Sequence, residues 1–214
     1  MDEDFAALIS ALPLEQPRVV PTPAQLNAFQ GKLPDILLNY WKDYGWGAFG
    51  DGLFWLVNPS EFTGVLNAWC QGLINTDGAF IIARGAFGKM IVWKKGYGKF
   101  MHIMPLEHTI FTFVENKHVL AGKEDFVFAN MIGRVDQESV DFEDQNEKPL
   151  FRRALKKLGA LGPDEMYAFE PTLSLGGSAQ LSALVKVKME EHLSFLAQLG
   201  ETEVLHLDTT RFLR

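Results

Sequence analysis

The chain has 214 residues, a formal net charge of −7 and a single cysteine. An acidic surface works against diffuse binding to nucleic acid or an anionic membrane, and a lone thiol excludes an intrachain disulfide. Hydrophobic residues at 47% and charged residues at 22% fit an ordinary globular chain, long enough for one large domain or two small ones.

Residues 2–12 are predicted to form a short amphipathic helix with Phe5, Leu8, Ile9 and Leu12 on one face. Its apolar part follows Asp2, Glu3 and Asp4, the reverse of the basic flank of an export signal. No stretch approaches the ~20 apolar residues of a membrane span, so a cytoplasmic protein without a membrane partner is expected. Pro13, Pro17, Pro21 and Pro23 then impose an extended connector. Thr22 and Pro23 open a second helix over residues 24–30. A third covers residues 34–44, where Leu37, Leu38, Trp41 and Tyr44 recur at helical spacing before Gly45.

Residues 33–59 hold three of the five tryptophans and four of the glycines, so a tight loop laid over a core is expected around Trp46, Asp51 and Trp55. The glycines follow a helix and precede a strand, the wrong context for a phosphate-cradling loop. Asp51, between glycines, suits a turn cap, with ligand contact as the sharper alternative. Residues 53–57 read as the first strand. Residues 60–72 read as a helix with Phe62, Leu66, Trp69 and Leu73 inside. Strands at 79–83, 90–94, 100–104 and 109–114, punctuated by glycines, suggest an antiparallel meander. Residues 124–131 add a short helix.

Residues 135–148 carry six carboxylates and one lysine, which suits either a solvated connector or an acidic surface meeting a basic partner. Beyond it, residues 150–158 form a helix with Arg152, Arg153, Lys156 and Lys157 outside. Ser178 is read as the cap of a long helix reaching residue 199, and residues 204–207 as a short edge strand. The fold class expected is α+β: an antiparallel or mixed sheet covered by helices, with a smaller, mainly helical C-terminal portion. The divisions are residues 1–134, an acidic connector at 135–149, and residues 150–214.

The five histidines lack the i, i+4 pairing of a metal helix and are read as surface or capping residues. Cys70 sits beside Trp69 without a visible charge partner and is read as a small hydrophobe. Adjacent acids such as Asp164 and Glu165 are read as hydrated. No catalytic, cofactor or metal residue is assigned.

Two portions carry a resemblance. LPDILLNYWKDYGWGAFGDGLFWLVNP, with the helix through Trp69, resembles the opening of the GAD-like domain, and more distantly the SMI1/KNR4-like superfamily. LFRRALKKLGALGPDEMYAFEPTLSLGGS, continuing through VKVKMEEHLSFLAQL, is similar to the C-terminal domain of type VI secretion immunity proteins. The resemblance implies an inhibitor rather than an enzyme, binding a cognate nuclease effector in the cytoplasm. An acidic inhibitor can compete for the basic surface with which a nuclease holds phosphates. The contact residues expected are Trp46, Asp51 and Trp55 in the loop, and Asp136, Glu138, Asp141, Glu143 and Asp144 in the acidic run. The rival is a small-ligand-binding protein or enzyme with a pocket lined by Trp46, Phe49 and Trp55 around Asp51. The toxin's identity and the oligomeric state are left open.

Overall fold

The computed structural model describes residues 2–208. Helix α1 (Glu3–Ala11) starts where Asp2 accepts a hydrogen bond from the Phe5 amide, and buries Phe5 and Leu8. Helix α2 (Pro23–Asn27) opens with a reciprocal cap between Thr22 and Gln25. Helix α3 (Asp35–Tyr44) ends at Gly45, whose φ of 72° and approach to the Val19 carbonyl leave no room for a Cβ.

Strands β1 (Gly47–Phe49) and β2 (Phe54–Leu56) form a hairpin. A 3-10 turn, Pro59–Phe62, leads into α4 (Thr63–Cys70). The meander follows as β3 (Ala79–Gly85), β4 (Met90–Lys94), β5 (Gly98–Met104) and β6 (Thr109–Phe113). Three helices come next: α5 (Lys117–Leu120), α6 (Glu124–Ile132) and α7 (Gln137–Val140). Then come α8 (Phe151–Leu158), β7 (Glu165–Phe169), β8 (Leu184–Lys188), α9 (Met189–Leu196) and β9 (Glu203–Leu207).

The main sheet runs β1-β2-β3-β4-β5-β6-β9. Its neighbours are antiparallel except β6 and β9, which pair in parallel from Thr109 opposite Glu203 to Phe113 opposite Leu207. This is the expected mixed sheet of an α+β fold. Strands β7 and β8 form a separate two-stranded sheet.

Aromatic rings fill the space between the sheet and its helices. Phe5 stacks on Tyr40 with centroids 4.1 Å apart, and Trp41 packs against Phe29 and Trp46. Trp93 meets Phe128 of α6 edge-on at 5.8 Å. Rings of this size bury roughly 150–250 Å² each, which makes them the main source of cohesion here.

Several local expectations are corrected. Strand β1 lies within the segment read as loop. Leu73, expected in the core, is 51% exposed because the chain turns away at Gln71, the C-cap of α4. The long helix over residues 178–199 does not form. Its first part is a 3-10 turn and strand β8, and α9 begins only at Met189. In LVKVK, the alternation of Val185 and Val187 with Lys186 and Lys188 suits a half-buried strand. The unforeseen β7 supplies its partner. The run at 135–148 is also folded. Asp136 and Ser139 cap each other's backbone at α7, and Val140 is buried.

Candidate functional site

The two groups of expected contact residues have different surroundings. In the β1–β2 loop, Trp46 is 5% exposed and Trp55 8% exposed, and both rings lie in the core. The Trp55 indole donates to the Gly52 carbonyl at 2.8 Å, and the Arg84 guanidinium lies 4.2 Å from its ring centroid. Phe49 is fully buried, crossed edge-on by Phe5 and covered by Arg18. Of this group only Asp51 is exposed. Its φ of 60° is tolerated in a tight turn between glycines, and its carboxylate pairs with Arg152 on α8.

The loop is therefore a seat for the C-terminal region. Arg84, buried within β3, donates to the Pro163 carbonyl at 2.9 Å, and desolvation holds its pKa down to about 9. Gly52 comes close to Leu161. The Tyr167 amide donates to the Ala86 carbonyl at 2.9 Å, linking β7 to the turn after β3. Farther along the C-terminal region, the 3-10 segment Leu173–Leu175 lies beside the 3-10 turn Pro105–Glu107.

The acidic run divides into internal fasteners and exposed carboxylates, of which Asp136 also caps α7. Asp141 accepts from the amides of Phe142 (2.7 Å) and Phe151 (2.9 Å), so it caps α8 from ten residues away. Burial pushes its carboxyl up, against the pull of those amides. Asp144 receives the Arg153 guanidinium at 2.7 Å and the amides of Asn146 and Lys148. The Arg153 bond is the main cause that holds this carboxyl below its ordinary range. Asp136, Glu138 and Glu143 project outward, and all three are exposed.

Within this region lies a cleft of about 280 Å³, lined by Phe87, Lys89, Glu107, Asp141, Phe142 and Glu143 among others. Lys89 donates to the Ser139 carbonyl at 3.1 Å, tying the β3–β4 turn to α7. Phe87 packs on Phe142 at 5.6 Å and on Tyr167 at 5.7 Å, so the cleft has a rigid aromatic floor. Sequence reasoning missed Arg84, Phe87, Lys89 and Glu107. Only Arg84 carries a readable signal, as a single charge inside the apolar run AFIIARG.

The remaining chemistry-bearing side chains are dispersed. Burial pushes the Cys70 thiol up to about 12, with its sulfur 3.9 Å from that of Met101. His102, His108 and His192 correct the surface reading: each has a buried Nε2, and desolvation lowers each pKa, against a bond to the Leu196 backbone at His108. Among the described residues, no group of three His, Cys, Asp or Glu side chains is placed to hold a metal ion.

Residues 3–107 match the GAD-like domain, and residues 128–200 match the C-terminal domain of the T6SS immunity protein Tdi1. The chain thus carries these two domains in that order, as their sequence motifs indicate. None of the curated proteins matches it. Among solved structures it is similar to Atu4351 from Agrobacterium tumefaciens, with a TM-score of 0.86 and 24% identity. That alignment covers 98% of this chain and 93% of Atu4351, and it shows a shared fold.

Proposed function

We propose that this chain neutralises a cognate type VI secretion effector by binding over its working surface, and that the effector is a nuclease. The observation that carries the reading is the immunity-protein match over residues 128–200, which takes in the acidic face. Asp136, Glu138 and Glu143 are the proposed contacts there, with Asp51 as an outlying one. Asp141 and Asp144 support that face from within, while Trp46 and Trp55 lie in the core. A nuclease needs a basic surface to hold phosphates, and a chain with net charge −7 is suited to compete for it. Exposed carboxylates of this kind mainly raise the association rate and select the partner. Stoichiometric binding requires no turnover, and the cytoplasm is where such an inhibitor would shield the chromosome.

The test is co-expression with the product of the adjacent gene. The expected result is copurification in equal amounts, silencing of DNA cleavage, and survival of a host cell that the effector alone kills. If the neighbour neither copurifies nor is silenced, the reading is wrong. Reversing Asp136, Glu138 and Glu143 to lysine is expected to slow association and flatten its salt dependence. An unchanged association rate would reduce the acidic run to a connector.

A further inference from the structure

We propose that the cleft between the β3–β4 turn and the α7–α8 segment is a receptor for one arginine side chain of the partner protein. The inference deepens the immunity reading and rests on it for the partner, though the cleft's chemistry stands by itself. At about 280 Å³ the cleft falls just below the roughly 300–1,000 Å³ typical of small-molecule pockets and suits a single inserted side chain.

Three carboxylates, Glu107, Asp141 and Glu143, line it against one ammonium, Lys89. That ammonium is already directed at the Ser139 carbonyl. Asp141 spends one oxygen on the amides of Phe142 and Phe151, and its carboxyl is partly buried. A cation entering the cleft offsets the desolvation of these carboxylates through the local field, and an anion adds to it.

The aromatic part of the lining selects among cations. Phe87 and Phe142 are tilted by 39° with centroids 5.6 Å apart, and both line the cleft. A guanidinium is planar and weakly hydrated, so it can lie on a ring face while its edge donates to carboxylates. A lysine ammonium keeps a tighter water shell and has no flat face to stack. The fasteners around the cleft hold it in shape before a partner arrives, which reduces the ordering cost of binding. An arginine buried there would be a central anchor, with the exposed carboxylate of Glu143 at the cleft itself.

The test uses the full chain, isotope-labelled and followed by amide NMR, with L-argininamide as the probe. L-lysinamide and acetate serve as the comparison probes. Saturable shifts at Phe87, Phe142 and Glu143 are expected with argininamide, weaker ones with lysinamide and none with acetate. Glu107→Gln with Glu143→Gln should weaken argininamide about tenfold, the equivalent of one lost charge-assisted contact. A dispersed spectrum certifies that this variant is folded, and Glu143→Gln alone serves if the double variant is not. Absence of saturable shifts, or shifts indifferent to these substitutions, overturns the receptor. Argininamide binding without a copurifying effector would retain the receptor and end the immunity reading. Tight effector binding with an unresponsive cleft would do the reverse.

Discussion

Around Trp41 the N-terminal region is fastened by rings, whereas around α8 the C-terminal region is fastened by charged side chains that reach across the backbone. Phe5, Phe29, Tyr40, Trp41 and Trp46 interlock, and Arg18 is the main charged exception, donating to the carbonyls of Tyr44, Gly45 and Ala48 at the edge of this cluster. On α8, by contrast, Lys157 donates to the carbonyls of Leu181, Ser182 and Leu184, and Arg153 holds Asp144. Lys186 pairs with Glu165, and Lys188 pairs with Asp164. Ring burial is non-directional and scarcely responds to ionic strength, while charge-assisted fasteners fix a geometry and respond to salt and acid. The region carrying the exposed carboxylates is thus the one whose shape is set by directional bonds. Arg84 stands where the two styles meet, stacked on a ring and bonded to a carbonyl of the other region.

The strongest challenge to this contrast is Trp41→Ala, which is expected to cost about 3–5 kcal/mol in urea unfolding. A loss near zero would show that the rings are not what holds the first region. Arg84→Ala comes next, at about 2–4 kcal/mol, since it leaves the Pro163 carbonyl without its donor and opens a void beside Trp55. Arg84→Met should recover most of that loss, because it fills the space without burying a charge. If Arg84→Ala instead splits unfolding into two separate transitions, the two regions are joined mainly by this side chain.

Acid supplies a finer probe. Burial lowers His102 well below its ordinary 6.5, so the unfolded chain takes up a proton before the folded one does. Its contribution is therefore intact above pH 6.5 and lost as pH falls toward the folded value. The slope is about 1.4 kcal/mol per pH unit for one such histidine. His102→Phe should flatten the stability curve between pH 6.5 and 5, and an unchanged curve would exclude His102 as its source. Smallest is Asp51→Asn, expected to cost about 0.5 kcal/mol, because the pair with Arg152 is half exposed on both sides. A larger loss in chemical denaturation would give this clasp a weight the comparison denies it.

Much of the fold was legible because its signals are local. Gly45 stopped α3, Thr22 and Pro23 opened α2, and glycine punctuation drew the meander. Strands β7 and β8 were not legible. Leu181, Val185, Met189 and Leu193 repeat at helical spacing, and that stripe masked the shorter alternation in LVKVK. Only pairing with Glu165–Phe169 decides between them. The candidate site was half legible. The acidic run was visible, but its division into fasteners and exposed groups depends on Phe151 and Arg153, several residues beyond it. Trp46 and Trp55 looked like a surface loop because glycines flank them. The same glycines let the backbone fold the rings inward. Glu107 and Phe87 join the site only through tertiary packing, which leaves no trace in sequence.

The parallel pairing of β9 with β6 has a consequence for biosynthesis. Strand β6 leaves the ribosome with one side of its backbone bare, and its neighbour β9 is made only after α5 to α9 and the β7–β8 pair have been translated. Until then the growing chain offers an open template to any passing strand. Late in synthesis, one short segment covers that side of β6 and becomes the new border of the sheet, tying residues 203–207 back to a strand made long before.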